Sequence, residues 1–537
     1  MKKTFLKFLY LFFAIIFSFS YGVAEDKAEV EKTTLAKINT KIMAVLFFDV
    51  AGGSIKVPDV DYSGKQALND DGSPKLKTVS IPFLIFILAT GAVFFSFWYG
   101  FINIRGFKHS IDVIRGKYDR EEDHGEISHF RALTSALSAT VGLGNIAGVA
   151  IAIQIGGPGA VIWMVFTAIF GMSSKFSSCT LSQMYRQINS DGTISGGPMY
   201  YLDIGLRQMG KPMRIIGKIL GVMYALMVMG GSVGGGNMFQ SNQTAAAFIE
   251  TFNLPESARL YIGIIIAVLV GSVILGGIKR IGSATSKIVP FMCGIYVLAA
   301  IYVILVNYKH IPEAFSLILS SAFSKNAAFG GFIGVAVIGV TRAAFSNEAG
   351  LGSAAIAHAA AKTEEPVREG IVAMIGPFID TIIICMMTAL VVIVSGVWND
   401  PQYIGIGGSL AGVTLTAHAF STALPWFPIV LTICVGLFAY SSMIAWCYYG
   451  ERGWIYLLDH FGGIGLKTVF IFRLVFIVAV VFGAVNSLTD VLDFTDVMIL
   501  SMALPNILGS IILAPKVRDR LKDYWSRYKS GEMKPVK

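Results

Sequence analysis

Charge is scarce in this chain. Of 537 residues, 14% are Asp, Glu, Lys or Arg and 54% are hydrophobic, and the mean hydropathy is +0.66. Soluble domains usually carry about 25% charge. A soluble fold could not cover this much apolar surface, so lipid is the solvent for much of it. Cysteine is scarce too. Cys179, Cys293, Cys385, Cys434 and Cys447 lie in or beside apolar segments with no C-x-x-C pair, which excludes a disulfide scaffold and a cysteine metal site. The seven histidines are scattered and no H-E-x-x-H occurs, which argues against a membrane metallo-enzyme. No G-x-x-x-x-G-K-[ST] is present, so ATP-driven pumping is not expected. The segment after 515 is too short to add a signalling domain.

What remains is a series of apolar runs. Lys2, Lys3 and Lys7 precede the apolar stretch Phe8–Phe19, and Gly22-Val23-Ala24 offers small residues before Glu25. Residues 1–24 therefore read as a secretory signal peptide, the alternative being a retained helix. Residues 25–80 are polar apart from Ile42–Val50 and read as an external segment with one short interfacial helix. Eleven spans follow: 81–101, 130–155, 159–184, 215–249, 258–277, 285–307, 330–360, 370–395, 426–449, 468–485 and 491–514. The fourth and seventh are too long for simple crossings. The expected fold is all-α and integral to the membrane.

The net charge of +9 is loop charge. Arg105, Lys108, Arg115, Lys117 and Arg120 follow the first span, and Arg186, Arg207, Lys211, Arg214 and Lys218 follow the third. Every second loop repeats this, as does the basic tail 516–537, whereas 156–158, 396–425 and 486–490 carry no Lys or Arg. The positive-inside rule then predicts an external N-terminus and a cytoplasmic C-terminus in a bacterial inner membrane.

Spans two and seven are interrupted alike. One reads Ser138-Ala139-Thr140-Val141-Gly142-Leu143-Gly144-Asn145; the other reads Phe345-Ser346-Asn347-Glu348-Ala349-Gly350-Leu351-Gly352-Ser353. Lying five spans apart, they enter from opposite sides, the mark of an inverted repeat with broken helices. Glycine lets the chain leave helical dihedrals, and an unwound turn in hydrocarbon must find partners for its N–H and C=O groups. The half-helix starting near Asn145 offers its N-terminal N–H groups to a carboxylate. The half-helix ending near Phe345 offers carbonyls to an ammonium. One small amino acid would satisfy both. Glycines alone would fit close helix packing, but Thr140, Asn145, Asn347 and Glu348 in the same breaks favour a site.

Thr140–Ala150 (TVGLGNIAGVA) with Gly156-Gly157-Pro158-Gly159 resembles the signature of the alanine/glycine:cation symporter family. So do Gly236–Asn242 (GNMFQSN) and Arg342–Thr363 (RAAFSNEAGLGSAAIAHAAAKT). The resemblance covers roughly 81–515. It implies a leucine-transporter-like fold of five-plus-five inverted repeats, approximately 130–307 and 330–514, with one extra helix in front. It further implies sodium-coupled import of alanine or glycine. By position it implies substrate contacts from Gly142, Leu143, Gly144, Asn145 and Gln240, with Phe345 as an aromatic lid. It implies sodium ligation by Thr140 and Asn145. It places a second sodium at Ser138, Val141, Ser441 and Ser442. Proton coupling and an amino-acid sensor on the same fold are the alternatives, and oligomeric state stays open.

Other polar residues say less. Glu348 is a candidate proton carrier or inner gate, unless Arg342 pairs with it. Trp163 and Trp446 read as packing. Asp123, His124, Glu126 and His129 resemble a loose metal cluster but read as a solvated loop.

Overall fold

The computed structural model describes residues 47–536 apart from 59–67, 70–72, 74, 121, 190–191, 275–276, 324–330, 401–411 and 461–462. The expected signal peptide and the segment before 47 lie outside the described residues.

The short helix expected at 42–50 is not found in its described part. Instead the Asp49 carboxylate accepts from Ala51 N (3.0 Å), Gly53 N (2.7 Å) and Ile81 N (2.8 Å). An acid followed by Gly52-Gly53, both at positive φ, closes a turn rather than a helix. The Ile81 amide, with those of Gly53 and Ala51, holds the carboxyl below its usual range. Beside this turn β1 (Lys56–Pro58) pairs antiparallel with β2 (Leu76–Thr78).

The rest is helical. In chain order come α1 (Phe83–Trp98), α2 (Phe107–Ile114), α3 (His129–Thr140), α4 (Val149–Gly156), α5 (Ala160–Met184), α6 (Lys211–Val233), α7 (Phe239–Phe252), α8 (Ala258–Ile274) and α9 (Gly277–Val306). The second half holds α10 (Ile311–Ala322), α11 (Gly331–Asn347), α12 (Ala354–His358), α13 (Pro366–Ala373), α14 (Met386–Val394), α15 (Gly412–Ser421), α16 (Phe427–Asp459), α17 (Gly465–Val485), α18 (Leu488–Ser501) and α19 (Ala503–Lys529). Among the described residues seven helices are long and apolar enough to cross a membrane, or eight counting the bent pair of α3 with Gly144–Gly156. Three shorter apolar helices, α1, α8 and α11, stand where further spans are expected.

Each half opens on a broken helix. The first turns by 53° between α3 and the helix that resumes at Gly144; the second stops at Asn347 and resumes at Ala354. The long fourth span is not broken. It runs Lys211–Phe252 with a π-helical turn at Gly234–Met238. Further π-helical turns occupy Gly144–Gly148 and Phe378–Cys385. Such turns swing backbone and side chains off the regular ladder and recur at functional sites. Here two of them pack on each other beside the first break.

Two loops hold more structure than expected. The connection 396–425 contains α15, whose Thr416 hydroxyl donates to the Ile146 carbonyl at 3.1 Å. The basic tail continues α19 as far as Lys529, docked by Tyr524 OH against His109 Nε2 (2.6 Å).

Candidate functional site: two helix breaks joined by a buried carboxylate

The first break begins where α3 ends at Val141, whose extended dihedrals turn the chain out of the helix. Two orphaned groups are closed locally: Gly142 N donates to Asn145 Oδ1 (2.8 Å) and Asn145 N to the Gly142 carbonyl (3.2 Å). Gln240 of α7 comes from outside, its Oε1 accepting from Leu143 N at 3.4 Å while its Nε2 donates to the Gly235 carbonyl at 3.0 Å. Gly142 cannot be larger, because a Cβ there would lie 2.5 Å from Ser442 Oγ.

Ser138 and Ser442 are brought together reciprocally. Ser442 Oγ donates to the Ser138 carbonyl (2.9 Å) and Ser138 Oγ to the Ser441 carbonyl (2.8 Å), tying α3 to α16. Ser441 is not part of this bridge through its hydroxyl, which bonds back to the Phe438 carbonyl at 3.0 Å, as mid-helix serines often do. Thr140 likewise donates to the carbonyls of Ala136 and Leu137.

The second break winds through left-handed backbone at Glu348 (φ 56), Gly350 (φ 87) and Gly352 (φ 82). Its groups are closed by Asn347 Oδ1 on Ala349 N (2.9 Å) and by Asn506 Nδ2 on the Gly350 carbonyl (2.6 Å). The buried Glu348 carboxylate takes the Ser353 hydroxyl. Arg342 does not pair with Glu348; it reaches Asp496 at 2.6 Å, whereas Glu348 lies past the end of α11 in left-handed backbone. Phe345 stands edge-on to Phe239, ring centroids 5.1 Å apart. Its ring lies 3.5 Å from where a Cβ on Gly144 would sit, so the expected lid does face the first break.

Sequence reasoning missed the group that joins the two breaks. Asp380, wholly buried in the π-helical turn after α13, accepts from Asn145 Nδ2 (2.6 Å) in the first break and from Ser346 Oγ (2.8 Å) in the second. Thr381 Oγ1 adds a third donor at 2.8 Å. Each of these donors is neutral. Among the described residues Asp380 forms no ion pair, and a charge buried in this way is costly without a cation. The signal was in the sequence, since Asp380 is a lone acid in an apolar span. A second miss is Lys175 of α5, buried, whose Nζ donates to the Asn347 carbonyl at 3.1 Å. Cys385 also borders the cluster, its Sγ 3.3 Å from Asn145 Nδ2 and from Ser346 Oγ.

Of the two tryptophans, Trp446 packs on the site, donating to the Ala139 carbonyl at 3.2 Å. Trp163 packs away from it, against Phe323 and Phe332.

Below the breaks, on the face of the basic loops, the chain is strapped shut. Ile127 N donates to the Ala360 carbonyl (3.2 Å) and Lys362 N to the Ile127 carbonyl (2.8 Å). Arg186 spreads over four carbonyls, those of His124, Ala359, Ala361 and Thr363, at 2.7–3.1 Å. The segment 123–129 is therefore not a solvated loop. His129 is buried, and its ring shares the carboxylate of buried Glu369 with the ring of His358. Both half-helices α3 and α12 are thus clamped to α13. Asp123 is buried beside Arg368 at 3.7 Å, and desolvation raises its carboxyl against that attraction. Among the described residues no group of three or more His, Cys, Asp or Glu could hold a metal ion.

This arrangement has relatives. The sodium/alanine symporter AgcS of Methanococcus maripaludis is 41% identical over 82% of this chain and 94% of its own length. A probable sodium/glutamine symporter, GlnT of Bacillus subtilis, is 35% identical over 84% of this chain and 89% of its own. Among solved structures, MhsT in complex with L-phenylalanine aligns over 73% of this chain and 98% of its own at 16% identity and TM-score 0.49. The sodium:alanine symporter family matches residues 73–537, so the chain belongs to that family and is a multi-pass, sodium-coupled amino-acid symporter, not an enzyme.

Proposed function

We propose that the protein imports alanine or glycine together with sodium, and that the cation binds where Asp380 joins the two breaks. The observation that carries this reading is an acid buried among neutral amide and hydroxyl donors. Sodium is a hard cation that takes oxygen ligands, and Asp380, Ser346 and Thr381 supply them within one cluster, beside Asn145. A single ion there ties the first break to the second, so its arrival and departure bias both half-helices together. Ser138, Val141 and Ser442 form the second candidate ion position, with Ser442 as the bridging hydroxyl.

The substrate carboxylate meets the N-terminal end of the helix that resumes at Gly144, and its ammonium meets carbonyls at the end of α11. Little room is left for a side chain. Gly142 is crowded by Ser442, and Phe345 already lies in contact range over Gly144. That favours alanine and glycine over glutamine, leucine or phenylalanine. With the strap closed on the basic face, import proceeds by binding from the opposite side, then release of the strap as the half-helices swing. Basic loops on the strapped face favour a cytoplasmic C-terminus and an external N-terminus.

Uptake into proteoliposomes under an imposed sodium gradient tests this reading. Alanine or glycine should accumulate, and leucine and phenylalanine should not compete. Accumulation that follows a proton gradient in the absence of sodium would overturn the coupling. A fluorescent protein fused after Lys537 should be bright in cells; an active periplasmic enzyme at that position would reverse the topology.

A further inference from the structure

The C-terminal helix carries a basic cleft that neither transport nor the strap uses. After Pro515, α19 continues to Lys529 and lies along the end of α1. Five of its six basic residues, all but Arg520, divide into two sets. Lys516 and Arg527 are engaged inside the protein, with Tyr185 and Gln208 in one case and Glu365 and Asp523 in the other. Arg518, Lys522 and Lys529 recur at the helical spacing that keeps them on one face. They line a cleft of about 340 Å³ with Arg105, Trp98 and Trp525. Among the described residues none of these four cations forms an ion pair.

Two features show that the cleft is built to hold an anion at a membrane surface. The guanidinium groups stack on aromatic rings, Arg518 Cζ 4.9 Å over Trp98 and Arg105 Cζ 5.8 Å over Trp525, so both are held at the one cleft they line. Trp98 also lines the cleft, and its buried indole N–H has no hydrogen-bond partner among the described residues. Around the rim the surface turns apolar: Phe97 is 64% and Ile104 67% exposed. Tryptophans at the end of an apolar span mark the headgroup level of a bilayer. A free anion in water would draw nothing from that apolar rim, whereas acyl chains lie against it.

We propose that this cleft binds the phosphate of an anionic phospholipid, with Arg105, Arg518, Lys522 and Lys529 around the phosphate and the acyl chains along α1. Basic pockets between membrane helices recognise such headgroups, and each basic residue near an anionic surface adds about 1 kcal/mol, roughly fivefold in affinity.

The test is native mass spectrometry of the full-length protein in detergent. Titration with phosphatidylglycerol and cardiolipin should give persistent adducts, and phosphatidylcholine should not. The variant Arg105→Gln/Arg518→Gln/Lys522→Gln should lose affinity for the anionic lipids on the order of a hundredfold, while still taking up alanine in phosphatidylcholine vesicles. If the triple variant does not fold, Arg518→Gln and Lys522→Gln alone should each lose roughly fivefold, and Arg518→Lys should retain binding. Unchanged lipid affinity in the charge-removing variants overturns the proposal. Displacement of the lipid by an equal concentration of glycerol phosphate overturns the lipid assignment in favour of a free phosphate site.

Discussion

In the first break Gly142 and Gly144 keep ordinary negative dihedrals, whereas in the second Gly350 and Gly352 both lie in the left-handed region, with Glu348 beside them. The two stretches share Gly-Leu-Gly, yet glycine serves space alone in the first, at Gly142, and conformation as well as space in the second. At Gly142 the missing Cβ admits Ser442 and Gln240; at Gly352 the missing Cβ permits φ 82. The partners differ accordingly. The first break borrows side chains from α7, α16 and the turn holding Asp380. The second is closed by its own Asn347 and Ser353, with Asn506 of α19, Lys175 of α5 and Thr381 reaching in from outside. Both hinges take partners from other elements and so can sense what binds between them, but the second is also fixed by its left-handed dihedrals and holds its shape more firmly.

That difference can be broken by substitution. The largest effect is expected for Gly352→Ala, which places a Cβ 2.7 Å from Asn506 Oδ1 in a left-handed residue. Left-handed backbone alone costs about 1–2 kcal/mol for an L-residue, so both transport and the unfolding temperature in detergent should fall. An unchanged Tm would show that the second break does not depend on its dihedrals. Gly142→Ala should be intermediate and, unlike Gly352→Ala, should be rescued: removing Ser442 Oγ in Gly142→Ala/Ser442→Ala relieves the 2.5 Å contact. A double-mutant cycle on Tm should show coupling of about 0.5–3 kcal/mol, and additivity would contradict the space argument. Gly144→Ala should be mildest. Its Cβ would meet Ser346 and Phe345 at 3.4–3.5 Å, an ordinary contact, so the fold should persist while half-saturation for alanine rises several-fold. Loss of folding there would mean that the breaks are more alike than described.

Much of this was legible in the sequence. Periodic apolar runs and alternating loop charge gave the helical plan, and the two Gly-Leu-Gly stretches marked the breaks. Pairings across the chain were not legible. Asn145 meets Asp380 and His129 meets Glu369 only because distant segments pack together. A charged loop therefore read as solvated where it is buried, and Asp380 was passed over although the rule applied to Glu348 covered it equally. The helix α15 was hidden because its ten residues fall between spans, and its role is read only from Thr416 reaching Ile146. The turn at Asp49 was masked by the apolar run around it.

The most direct measurement is a sodium titration of alanine uptake in proteoliposomes containing Asp380→Asn. The substitution keeps the volume and removes the charge. Hydrogen bonds to a charged group contribute about 1.5–3 kcal/mol, so sodium affinity should fall by roughly ten- to a hundredfold. At low sodium the affinity for alanine should fall too, since coupling between sites is reciprocal. If Asp380→Asn keeps the parent's half-saturating sodium concentration, the ion is not held where the two breaks meet.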